Sequence, residues 1–228
     1  MRLPRHIRPF GPDGLLLEWE ARIDPAISRG VHAFAAALRQ QAGVRECVPG
    51  YASLLLTFDT GRTTAASLRE YVYALRPSAA PTADGYLHRV PVVYGGGAGP
   101  DLDTVAEVTG CSPEEVVRHH GATDYLVYLL GYRPGFAFLG PTPPRLEVPR
   151  RTTPRVRVPP GSVGMAGRQT GVYPAGCAGG WQLIGRCPWP LLDPQGQPRF
   201  RAGDRVRFFP IEEEAFHHHQ TSAPWPAR

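Results

Sequence analysis

Across residues 125–211 the chain never sustains a helical repeat. It breaks instead into short apolar runs, LVYLL, FAFL, RVRV, VGMA, WQLIG and RVRFFPI, each bounded by Gly or Pro. Runs this short cannot satisfy their own backbone N–H and C=O groups, so they must pair with one another. Enough of them in succession close a sheet on itself and leave no open edge. A closed or nearly closed β-barrel is the expectation for this half of the chain. Glycine and proline number 26 each among 228 residues, scattered between apolar runs, and so act as punctuation between strands.

The first part of the chain has a different pattern. Residues 15–19 (LLLEW) form a strand-like run, and Asp24-Pro25 then offers a helix cap followed by proline in the first turn. Ile27, Val31, Phe34, Ala35 and Leu38 recur at helical spacing. Residues 44–48 and 51–58 are expected to pair as a hairpin around Pro49-Gly50. A second helix carries Leu68, Tyr71, Val72 and Leu75, and residues 88–94 (HRVPVVY) form a further strand. The order strand, helix, strand, strand, helix, strand is that of a ferredoxin-like split βαβ unit, with the last strand either completing it or opening the following domain.

The expected class is therefore α+β, with three parts. A ferredoxin-like domain covers residues 1–85, a barrel domain residues 86–211, and a polar, fraying tail residues 212–228. Within the barrel domain, residues 101–109 and the Ser112-Pro113-Glu114-Glu115 capping box announce two short helices.

Composition narrows the chemistry. All 25 basic residues are arginine, which excludes a Schiff-base lysine and the lysine of a nucleotide-binding Walker loop. A net charge of +5 suits a small anionic partner, whereas no zinc finger, RNP signature or dense basic run points to nucleic acid. Cys47, Cys111, Cys177 and Cys187 lack metal-ligand spacing, and His217-His218-His219 has no defined acidic or cysteine partner, so no metal is expected. Reduced thiols and the lack of an 18-residue apolar run fit a cytoplasmic protein without a membrane span. Cys177 reads as an exposed loop thiol.

Glycines stand beside aromatic and polar residues through residues 131–186: Gly135-Phe136, Gly167-Arg168-Gln169-Thr170-Gly171, Tyr173, and Gly179-Gly180-Trp181-Gln182. Such clusters suit loops shaping a pocket, and equally suit the tight turns of a β-rich domain.

Read in order, Tyr94-Gly95-Gly96, GPDL (99–102), a helix ending in His120, LGYRPGF (130–136), TPR (153–155), PGS (160–162), QTGVYP (169–174), GGWQLIGR (179–186) and GDRVRFFPI (203–211) resemble the B-subunit family of 5-oxoprolinase, also called allophanate hydrolase subunit 1. The resemblance spans nearly the whole chain. It implies a ferredoxin-like domain followed by a cyclophilin-like β-barrel. It also implies a protein, inactive alone, that works with the A and C subunits of 5-oxoprolinase in the ATP-dependent opening of 5-oxoproline to glutamate. Other members of the family inhibit a histidine kinase or belong to a carboxyltransferase, and both remain alternatives.

Three residues are candidates for chemistry. His120 titrates near neutrality and either transfers protons or caps its own helix. Arg155, which shares a strand face with Arg157, offers a fork for a carboxylate, and Gln169 offers an amide that both donates and accepts. Tyr94, Gly135, Phe136, Gly171, Tyr173, Gly179 and Gly180 are the candidate pocket lining, with Trp181 assigned to the core.

Overall fold

In the computed structural model, residues 3–77, 85–221 and 225 are described. The chain divides into two compact units, Met1–Ala83 and Asp84–Arg228.

The first unit is a four-stranded antiparallel sheet with two helices. Strands β1 (His6–Pro9) and β2 (Gly14–Glu18) come first, then helix α1 (Pro25–Leu38), strands β3 (Val44–Pro49) and β4 (Ser53–Phe58), and helix α2 (Ala65–Ala74). The strand order is β1-β2-β4-β3. Leu15 and Leu17 of β2 and Leu54, Leu56 and Phe58 of β4 alternate onto one buried face, against Val31, Phe34 and Leu38 of α1. Asp24 caps α1 through its carboxylate, which accepts from the backbone N–H of Ala26 and Ile27. The expected hairpin of β3 and β4 is present.

The expected ferredoxin-like order is not completed as read. Residues 88–94 do not join this sheet, and the edge beside β2 is taken by β1, which pairs antiparallel through Ile7 with Leu17. Within HIRP only Ile7 is buried, so β1 lacks the alternation that marks a strand in sequence. The connection at residues 78–84 lies outside the described residues.

The second unit begins with β5 (Leu87–Tyr94), followed by α3 (Leu102–Thr109) and α4 (Pro113–Gly121). Then come β6 (Tyr125–Leu130), β7 (Ala137–Gly140), a 3-10 turn (Pro144–Leu146), β8 (Arg155–Val158), β9 (Ser162–Ala166), β10 (Gln169–Val172), β11 (Cys177–Gly179), β12 (Gln182–Arg186) and β13 (Arg205–Pro210). Seven of these strands close a barrel in the order β10-β7-β6-β13-β5-β12-β9. Val90 and Val92 of β5 are fully buried in the same core as Val206 and Phe208 of β13, its parallel neighbour. That partnership explains why β5 leaves the first unit.

The run RVRV is not a barrel stave. It forms β8, which pairs only with β11 in a separate two-stranded ribbon. Helices α3 and α4 pack Leu102, Val105, Ala106 and Val116 into the barrel core. The capping box of α4 is reciprocal, with Ser112 and Glu115 each bonding the other's backbone N–H.

Within the expected tail, the described residues form a 3-10 turn (Glu213–Ala215) leading into α5 (Phe216–Thr221). Phe216 gives this segment an anchor, lying under the guanidinium of Arg186 at 5.5 Å. Among the described residues no helix is long and apolar enough to cross a membrane.

Candidate functional site

His120 is fully buried near the C-terminal end of α4, with its ring stacked on Phe208 at 4.5 Å. Its Nδ1 lies 2.8 Å from the Tyr94 hydroxyl and its Nε2 lies 2.9 Å from Thr170 Oγ1. The single hydroxyl proton of Thr170 is given to the Gly164 carbonyl at 3.0 Å, so Thr170 accepts from His120. Nε2 therefore carries the ring proton, and Nδ1 accepts from Tyr94. The result is a directed chain, Tyr94 to His120 to Thr170 to Gly164, across β5, α4, β10 and β9.

Burial pushes the His120 imidazole down to about 3 and pushes the Tyr94 hydroxyl well above its ordinary value. At neutral pH the ring is uncharged and both of its nitrogens are engaged. It reaches no guest without displacing a neighbour. Nor does it cap its own helix; the His120 carbonyl is bonded by the Tyr125 hydroxyl at 3.0 Å.

Gln169 begins β10, next to Thr170. Because Thr170 turns inward to His120, Gln169 faces the other side of the sheet, where it is only partly buried. His120 and Gln169 thus lie on opposite sides of the barrel wall and are not brought together.

Arg155 stands at the start of β8, in register with Gly179 of β11. Its Nη2 donates to Asp101 Oδ1 at 2.7 Å, and Arg151 Nη1 donates to the same oxygen at 3.0 Å. The other oxygen, Oδ2, accepts from the backbone N–H of Leu183 at 2.7 Å. Arg151 is also tied through its own backbone N–H to the Gly180 carbonyl at 2.8 Å. Arg155, Gly179 and Gly180 are accordingly neighbours.

Phe136, Tyr173 and Trp181 meet edge to face, with Phe136 5.2 Å from Tyr173 and 5.5 Å from Trp181, in a small core that includes Val158 and Cys177. The expected exposed thiol of Cys177 is buried there, because β11 pairs with β8 and turns Cys177 toward the aromatic rings.

The glycines beside these rings have a packing role. A Cβ at Gly171 would come within 2.9 Å of the Ala137 carbonyl oxygen and 3.2 Å of the Phe136 ring, and one at Gly179 within 2.6 Å of the Tyr173 hydroxyl. The space next to Gly171 and Gly179 is thus filled by the protein itself. Gly180 is more open, with Pro154 3.6 Å away from the corresponding position.

Gly135 lies elsewhere, on the edge of an open depression of about 450 Å³ lined by residues 130–135, Gly196 and Pro198. Beside it Tyr132 has φ 66°, the one positive value among non-glycine residues described, and donates its hydroxyl to the Ala178 carbonyl at 2.5 Å.

Eight of the ten candidate residues fall into three groups: Tyr94 with His120, the Arg155 ribbon with Gly179 and Gly180, and the aromatic cluster of Phe136, Gly171 and Tyr173; Gln169 and Gly135 stand outside them. Thr170 and Tyr173 provide links between them. Sequence reasoning missed Asp101 and Arg151. Asp101 sits in the GPDL motif and Arg151 just before TPR, but nothing local in the sequence ties the two together.

Comparison with known proteins adds four findings. The family model "Carboxyltransferase domain, subdomain C and D" matches residues 5–201. A Bacillus subtilis (strain 168) protein, named as the B subunit of 5-oxoprolinase, is 37% identical over 233 residues, covering 95% of this chain and 97% of its own. Among solved structures, that of TTHA0988 superposes with a TM-score of 0.77 at 34% identity over 97% of this chain, which spans only 41% of that longer chain. The urea amidolyase of K. lactis shares the fold, with a TM-score of 0.78 at 20% identity over 94% of this chain and 15% of its own.

Proposed function

Since the chain belongs to the family of the carboxyltransferase domain, subdomain C and D, we propose that it is the B subunit of an ATP-dependent 5-oxoprolinase, which opens 5-oxoproline to glutamate. The observation that carries this reading is the 37% identity to the Bacillus subtilis protein over nearly the full length of both chains.

The reaction must break an unstrained amide bond. Its carbonyl is a poor electrophile, so negative charge gathering on the amide oxygen needs fixed donors in a site closed to water. On this chain Gln169 offers a partly buried amide for that role, while Arg155, its direction set by Asp101, offers a guanidinium for an anionic group elsewhere on the substrate. Tyr94 is held by His120, which orients it and is a positioning group.

The nucleotide does not fit this chain. The stretch from β5 through Gly95, Gly96 and Gly97 to α3 has the strand, glycine loop and helix order of a phosphate cradle, yet the buried Asp101 at the start of α3 makes no cap bond and is held by Arg151, Arg155 and the Leu183 N–H. No lysine exists in the chain to complete such a cradle. Phosphoryl chemistry is assigned to the partners, the A and C subunits of the complex. The longer TTHA0988 chain supports a unit of this type acting beside further polypeptide. The compartment proposed is the cytoplasm.

Reconstitution tests the proposal. Glutamate release from 5-oxoproline and ATP is expected only when this chain and both partners are present. Full turnover without this chain would refute it, and biotin-dependent carboxyl transfer by the assembly would replace it. Gln169→Ala is expected to lower turnover on the order of 10² while leaving the fold intact.

A further inference from the structure

Around Asp101 the charges do not balance. One carboxylate, 3% exposed as a residue, receives two guanidiniums on a single oxygen, and its second oxygen is taken by the Leu183 backbone. The cluster therefore carries one positive charge in excess. It also contains polar atoms with no partner: Arg155 Nη1 and Arg151 Nε are both closed to water and unbonded. Gln182, itself 6% exposed, donates to the Pro149 carbonyl at 3.2 Å, which ties it to the same segment as Arg151, and its Oε1 is also without a partner.

A buried donor left unmade costs free energy, and an unpaired buried charge costs more. Two guanidiniums lashed to one carboxylate keep their remaining N–H edges in fixed directions. That geometry is suited to receive a second planar anion. The segment carrying Arg151, residues 150–154, is neither helix nor strand.

We infer that Arg151 and Arg155, oriented by Asp101, form a subsite for a carboxylate, with Gln182 as a neighbouring acceptor for a donor on the same ligand. This deepens the functional proposal and rests on it for the identity of the ligand. The substrate's carboxylate would be held here, and its lactam N–H would find an acceptor. Arg151 and Arg155 bind directly; Asp101 is a positioning residue.

The test titrates the full chain with three probes, 5-oxoproline, its neutral carboxamide and inorganic phosphate, following the side-chain Nε–H signals of Arg151 and Arg155 by NMR. 5-Oxoproline is expected to shift both signals and the carboxamide neither. Arg151→Gln is expected to weaken 5-oxoproline binding at least tenfold. Arg151→Lys, which keeps the charge without the fork, should recover only part of that loss. In the reconstituted complex Arg151→Gln should raise KM at least tenfold with kcat nearly unchanged.

Response to phosphate but not to 5-oxoproline would overturn the carboxylate assignment. No response to any probe, together with an unchanged KM in Arg151→Gln and in Arg151→Lys, would overturn the subsite altogether. A complex that binds 5-oxoproline through Arg151 yet forms no glutamate would sink the functional proposal and leave the subsite standing.

Discussion

At the scale of single residues, His120 shows how burial changes what a side chain can do. In water its pKa would make it a proton carrier near neutrality. Enclosed by Phe208 and Tyr125, and bonded at both nitrogens, it is a neutral strut. The linkage follows in sign. The folded-state value, about 3, lies below the ordinary 6.5, so the unfolded chain binds the extra proton first. The contribution is complete above about pH 6.5 and is lost as pH falls toward 3, at up to about 1.4 kcal/mol per pH unit. His120→Gln is expected to lower stability by about 1–3 kcal/mol at pH 7.5 and to flatten the decline between pH 6.5 and 4. Urea unfolding at several pH values measures both. An acid limb identical in wild type and variant would mean that His120 binds its proton equally in the folded and unfolded chains. The histidine was legible in the sequence as a helix-end residue. Its inertness was not, because that depends on Thr170, 50 positions away, and Tyr94, 26 away.

At the scale of elements, the ribbon of β8 and β11 and the aromatic cluster beneath it account for the glycine spacing that suggested a pocket. Gly179→Ala would drive a methyl to 2.6 Å from the Tyr173 hydroxyl, and is expected to cost about 1–3 kcal/mol. Gly180→Ala, whose new atom comes no nearer than 3.6 Å to Pro154, should stay within about 0.5 kcal/mol of wild type. Thermal melting followed by tryptophan fluorescence distinguishes the two; equal losses would count against the packing role. Helix α4 gives a separate test, since Ser112→Ala removes one arm of a reciprocal cap and should cost about 1 kcal/mol. A denaturation midpoint unmoved by Ser112→Ala would show that tertiary packing alone holds the helix. Capping and helix periodicity are local, so α1, α3 and α4 could be read directly from spacing and end residues. Which strand joins which sheet is not local: β5 and RVRV each have strand character, and only partner availability sends one to the barrel and the other to the ribbon.

At the scale of the whole molecule, each unit has a hydrophobic core of its own, one built on Leu15, Phe34 and Phe58 and the other on Val92, Val127 and Phe208. A fragment beginning at residue 84 is expected to unfold cooperatively by itself, as calorimetry would show, and a broad, non-cooperative melt would contradict that independence. What the sequence determined alone were quantities set by near neighbours: helix ends, strand-length runs, an all-arginine positive charge, and the ordered motifs that carry the family resemblance. Tertiary structure decided everything that depends on distant partners. It closed seven strands into a barrel, placed β1 at an edge its own residues hardly announce, turned His120 from a base into a buried strut, and gathered Asp101, Arg151 and Arg155 across 50 and 54 positions. The physical reason is that propensity and capping act over a few residues. The cost of burying a charge or leaving a donor unpaired is settled only by what the fold brings beside it.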